Sequence, residues 1–213
     1  MNTAIQTFLS RQLEENKSAF LAISDLHPLL EPFKGAVQSL SYEESVGAFA
    51  AELEENIQNW WTNPEKTNVN TELHAILFEY NDMLNASEIA DAYGINKIAS
   101  PLGFQVEPYD SIGSFDFAEG FYAVPGITLK CFDPLQKLSS DEVDEDEYED
   151  IEVYFLDGYE ELMNVYMYNA YLALHKALQH LYEQGKLDGI RKATPFCFLI
   201  GEHDTEIQPL FII

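Results

Sequence analysis

Leu162-Met163-Asn164-Val165-Tyr166-Met167-Tyr168-Asn169-Ala170-Tyr171-Leu172-Ala173-Leu174 is apolar or aromatic on nearly every side when wound at 3.6 residues per turn. It is the middle of the longest helical pattern in the chain, Tyr159 to Gln184, which Gly185 terminates. A helix without a polar face must be covered on several sides, so it belongs at the centre of a fold or at an interface.

The cover has to come from elements on either side. Towards the C-terminus, Phe196 to Ile200 and Ile207 to Ile213 flank the turn Gly201-Glu202-His203-Asp204-Thr205-Glu206 as a hairpin, and Pro209 puts the last strand at a sheet edge. Towards the N-terminus, Ile151 to Leu156 reads as a strand closed by Asp157-Gly158. Gly120 to Val124 and Ile127 to Phe132 read as a hairpin turning at Pro125-Gly126, and Phe104 to Pro108 reads as extended. Ser87 to Gly94 is read as a strand, with a short helix capped by Gly94 as the alternative. Leu73 to Tyr80 is a short apolar run closed by Asn81-Asp82, the pattern of a central strand covered on both faces.

The first third of the chain is helical in period. Ile5, Phe8, Leu9 and Leu13 recur at helical spacing, continuing through Phe20, Leu21 and Ile23 until Pro28. Ser41 and Glu44 have the spacing of a capping box. Behind them Val46, Phe49, Ala50, Leu53, Ile57, Trp60 and Trp61 form a stripe that stops at Asn63-Pro64. The stripe is too narrow for both tryptophans, so one of them is expected to be more exposed. Clustered strands with helices set apart predict an α+β fold. The expectation is a mainly antiparallel sheet of about five to seven strands, packed against an N-terminal helical pair and one long central helix. The chain is read as one domain over residues 1–213, with a helical part over 1–64 and an acidic loop over 139–150.

That loop opens the run Asp141-Glu142-Val143-Asp144-Glu145-Asp146-Glu147-Tyr148-Glu149-Asp150-Ile151-Glu152, with nine carboxylates and no base. Across the chain 37 Asp and Glu face 11 Lys and Arg, for a formal charge of -26, so most carboxylates lack a private cation. The aromatic content of 13% supplies burial that a disordered acidic chain lacks, so the charge sits on a folded body. Such a field repels nucleic acid and anionic membranes and attracts basic proteins. No secretory signal and no spanning segment is evident, which places the expected location in the cytoplasm. Cys131 and Cys197 lie in strand-like contexts where a thiol acts as a small buried apolar group.

Catalytic signatures are sparse. No phosphate loop, dinucleotide fingerprint, nucleophile elbow or zinc-protease motif occurs, and no cofactor is implied. Glu202, His203 and Asp204 are the weak candidates for a metal or a general base, although adjacent strand residues point to opposite faces. His175 and His180 are about 140° apart on their helix and read as structural, while His74 reads as a hydrogen-bonded core histidine. Glu79, Glu119 and Glu202 border apolar segments where a carboxylate can be partly desolvated.

The expected function is therefore non-enzymatic: binding of a basic protein through Asp144, Glu145, Glu147, Tyr148 and Glu149. Acidic inhibitors of basic nucleases, including toxin immunity proteins, work in this way, and the likeness is one of charge and size alone. The alternative is a metal-assisted hydrolase using Glu202, His203 and Asp204. A homo-oligomer built on the Tyr-rich helix is a third reading.

Overall fold

The computed structural model describes residues 1–69, 71–98, 115–139 and 151–213. Its architecture is α+β, as expected, with the helices on one face of a six-stranded, mostly antiparallel sheet. The Tyr-rich stretch lies in α4 (Tyr159–Glu183), in which 14 of 25 residues are buried, so the helix is enclosed as its missing polar face requires. Glu160 and Glu161 sit in its first turn, where carboxylates suit the helix dipole. At its other end Gly185 takes φ +71°, its N–H reaches the Tyr182 carbonyl, and Lys186 N–H reaches that of Leu181. Those paired bonds close the helix as a Schellman motif.

Helices α1 (Asn2–Ala22) and α3 (Glu43–Asn56) flank α4, and the short α2 (Phe33–Ser39) joins them. The start of α3 departs from the expected capping box. Ser41 Oγ accepts from Glu43 N–H at 3.3 Å, so the hydroxyl serves the entry turn one residue early and Glu44 makes no return bond to it. After α3 the chain widens into a π-turn at Ile57–Trp61. That extra residue rotates the stripe, burying Trp61 against Phe78 and Phe121 while Trp60 stays half-buried under Lys66.

The sheet runs β3 (Phe115–Phe117), β2 (Ile89–Ile98), β1 (Leu73–Tyr80), β5 (Lys192–Glu202), β6 (Gln208–Ile212), and β4 (Val124–Thr128) also pairs with β2. Neighbours are antiparallel except β1 and β5, which are parallel because α4 carries the chain back between them. β1 is covered on both faces, as its apolar run predicts. Ile76, Phe78 and Tyr80 join the main core under the helices, and Ala75 and Leu77 join a smaller cluster with Ile95, Cys197 and Leu199 on the outer face. A register shift between Leu73 and Ala75 leaves His74 exposed, which corrects the expectation of a core histidine. The C-terminal hairpin forms as read. Its edge strand β6 is closed by the Asn2 carboxamide, which donates to Ile212 O at 2.8 Å and accepts from Ile212 N at 2.9 Å.

Two expected strand arrangements are corrected. Pro125-Gly126 makes no hairpin turn; both residues lie within β4, whose outward carbonyls accept from Trp61 Nε1 at 2.8 Å and Asn56 Nδ2 at 3.0 Å. Proline suits this strand because β2 is its partner on one side only, and the pairing shifts register between Ala90 and Ala92. Ile151 to Leu156 is not a strand. Val153–Phe155 forms a 3-10 turn leading to α4, since strand propensity is realised only against a partner strand. Phe104 to Pro108 and the acidic run over 140–150 lie outside the described residues.

Glycine positions give a direct check. A Cβ at Gly126 would meet the Ala90 carbonyl oxygen at 2.2 Å, whereas one at Gly47 in α3 meets nothing within 4 Å. Gly126→Ala is expected to lower stability by roughly 1–3 kcal/mol, and Gly47→Ala to raise it by roughly 0.5–1 kcal/mol. Urea midpoints of the two variants measure both.

Candidate functional site

The parallel strands β1 and β5 end side by side, with Glu79 opposite Gly201 and Tyr80 opposite Glu202. Alternation then sorts the side chains by face. On the helix side Tyr80 is buried, and its hydroxyl meets that of Tyr171 at 2.9 Å. Glu202 is half-buried beside this pair. Burial, followed by the fields of Asp82 and Glu88, raises its carboxyl above the ordinary range. Glu88 is itself buried because it holds the β1–β2 connection, accepting from Asn81 N at 2.6 Å and from Asn85 Nδ2 at 2.9 Å.

On the outer face Glu79 of β1 lies directly opposite Asp91 of β2. Like charges in that relation repel across the strands. Desolvation, then Glu88 and Glu79, push the Asp91 carboxyl upward. One neutralising group is at hand: His203 Nδ1 lies 2.9 Å from Glu79 Oε1, and its Nε2 lies 3.6 Å from Asp204 Oδ2. The hydrogen bond to Glu79 and the charge of Asp204 hold the exposed imidazole more basic than usual.

The expected metal cluster therefore divides. Glu202 turns to the helix side, His203 to the outer face with Glu79, and Asp204 is exposed at the turn tip. Among the described residues no group of three His, Cys, Asp or Glu side chains is placed to hold a metal. Glu119 is exposed. His175 is structural: Nδ1 meets Leu210 O at 2.7 Å, and burial lowers its pKa so that it is neutral at pH 7. His180 bonds Gln184. Cys131 and Cys197 are free thiols whose pKa desolvation pushes up to about 12; Cys197 is buried in β5 as expected, whereas Cys131 is half-buried in the 3-10 turn Lys130–Leu138 instead of a strand.

Two groups of aromatic rings border the acidic regions, and the sequence alone did not single them out. Tyr93, two residues beyond Asp91 on the same face of β2, meets Tyr122 at 4.9 Å and Phe117 at 5.3 Å between ring centroids; Tyr122 and Phe117 are also 5.3 Å apart. Tyr122 is 63% exposed. The second group is Tyr154 and Phe155, with centroids 4.4 Å apart, exposed by 58% and 76% directly after the acidic run. A groove of about 720 Å³ between α3 and α4 is lined by Gly47, Ala50, Ala51 and Leu181 and rimmed by both signs of charge. The partner-binding candidates Asp144, Glu145, Glu147, Tyr148 and Glu149 lie outside the described residues. No helix is long and apolar enough to cross a membrane, among the described residues. Comparison with protein-family models, curated proteins and solved structures finds no match.

Two titrations check the electrostatics. A carboxyl whose pKa is raised by folding favours the folded state when protonated. Its contribution is full below the ordinary glutamate value of 4.5 and is lost as pH rises through the folded value. Glu202→Gln is thus expected to raise the urea midpoint at pH 7, with the gain shrinking towards pH 4. By NMR, His203 is expected to titrate above the ordinary histidine value of 6.5, and Glu79→Gln to bring it down.

Proposed function

We propose that this protein acts by binding a basic protein, as an acidic inhibitor does, with the run from Asp141 to Glu152 and the rings behind it as the contact surface. The exposure of Tyr154 and Phe155 carries this reading. Large apolar rings held in water are costly unless a partner covers them, and aromatic anchors inside a charged rim are the usual form of an interface hot spot. The carboxylates would steer the encounter and raise the association rate, while the rings would set the dissociation rate. Asp144, Glu145, Glu147, Tyr148 and Glu149 are the contacts assigned to the run. Charge supports the same partner. Among the described residues four Lys or Arg side chains pair with carboxylates, all at partly or largely exposed positions where such pairs neutralise little.

The test is affinity capture from the host lysate at low salt, followed by elution with rising salt. The expected result is one basic protein, retained by wild type and lost from a D144N/E145Q/E147Q/E149Q variant. Phe155→Ala should speed its dissociation by roughly tenfold or more. Retention of the same proteins by an unrelated protein of equal charge would refute the reading. His203→Ala should leave this capture intact, whereas the metal-hydrolase alternative requires that the variant lose activity.

A further inference from the structure

The outer face of the sheet carries three packed rings, of which Tyr122 is exposed and Tyr93 and Phe117 are half-buried, beside two carboxylates and the His203 imidazole. Tyr122 and Tyr93 meet at right angles, with an interplanar angle of 89°, and Phe117 meets Tyr122 at 90°. Such edge-to-face packing fixes the rings in place. Along the same strand face lie Asp91 and, across from it, Glu79. The lysine of β2, Lys97, pairs with Asp116 of β3 at 3.3 Å, and neither Glu79 nor Asp91 pairs with a lysine or arginine among the described residues. Ring faces attract cations through their quadrupole, and the carboxylates add the direct charge.

We propose that Tyr93 and Tyr122, with Glu79 and Asp91, receive an arginine side chain of the basic partner. The inference rests on the proposed function for the sign of the partner and adds to it a place and a residue type. Arginine fits better than lysine for a geometric reason. Its planar guanidinium can bridge two carboxylates with parallel hydrogen bonds while its face lies on a ring, whereas an ammonium is a compact, strongly hydrated point charge. Opposed carboxylates on neighbouring strands present acceptors at the spacing of one cross-strand pair, and the bridging cation would remove their repulsion. His203 holds Glu79 in the absence of a partner, so it competes with the arriving guanidinium.

Two labelled peptides, nona-arginine and nona-lysine, provide the probe, with binding measured by fluorescence anisotropy at low salt. Wild type is expected to bind the arginine peptide roughly threefold to tenfold more tightly than the lysine peptide. Tyr122→Phe should keep that preference, Tyr122→Leu should lose it, and His203→Ala should tighten arginine binding. Equal affinity for the two peptides, or a preference that survives Tyr122→Leu, overturns the inference. The D144N/E145Q/E147Q/E149Q variant separates the two claims. If it weakens both peptides while wild type shows no arginine preference, the proposed function stands and this inference falls. If neither peptide binds wild type better than an unrelated protein of equal charge, both fall.

Discussion

A helix with no polar face has one acceptable environment, and the burial of α4 sets the arrangement of the remaining elements. With 14 of 25 residues buried it needs cover on several sides, and α1, α3 and the sheet provide it. The helix layer joins the sheet through specific contacts as well as apolar ones: Tyr171 meets Tyr80, and His175 meets the Leu210 carbonyl. Because the helices gather on one side, the carboxyl ends of β1 and β5 present a second, outer side that no described helix covers. Glu79, Asp91 and His203 meet there.

Electrostatics pulls against this packing. Several carboxylates at the strand ends lie near one another, and among the described residues only Glu79 of this group has a basic partner, His203; burial first and the neighbouring carboxylates second raise the pKa values of Glu202 and Asp91. Groups that serve the fold alone usually escape such conflict. Glu88, though buried, spends its acceptors on Asn81 and Asn85 and has a clear structural role. Among the described residues Asp91 makes no comparable bond and Glu79 bonds only His203, and net negative charge beside exposed rings attracts cations.

Much of this fold was legible in the sequence because periodicity reports burial. The all-round apolar pattern of α4, the apolar run from Leu73 to Tyr80 and the two apolar runs of the C-terminal hairpin each formed as read. What failed were inferences from local chemistry that depends on distant neighbours. Pro125-Gly126 has the composition of a turn, yet it became an edge strand because Trp61 and Asn56 take its carbonyls and β2 lies close against Gly126. Val153 to Phe155 has strand composition and found no partner strand. The site was legible only in part. Glu79, Glu202 and His203 stood out singly, but the opposition of Glu79 and Asp91 is a matter of strand register, which composition does not encode. Tyr93 and Tyr122 were hidden for the same reason.

Glu79 and Asp91 lie opposite each other on β1 and β2, and their like charges repel. A double-mutant cycle of Glu79→Gln and Asp91→Asn in a His203→Ala background, which removes the imidazole from Glu79, read by urea unfolding at low salt, tests that repulsion without any partner. Either single change is expected to stabilise the fold by roughly a few tenths of a kcal/mol to 1 kcal/mol, and the second change then to add less than it does alone. Additive effects, or a loss of stability in both single variants, would contradict it.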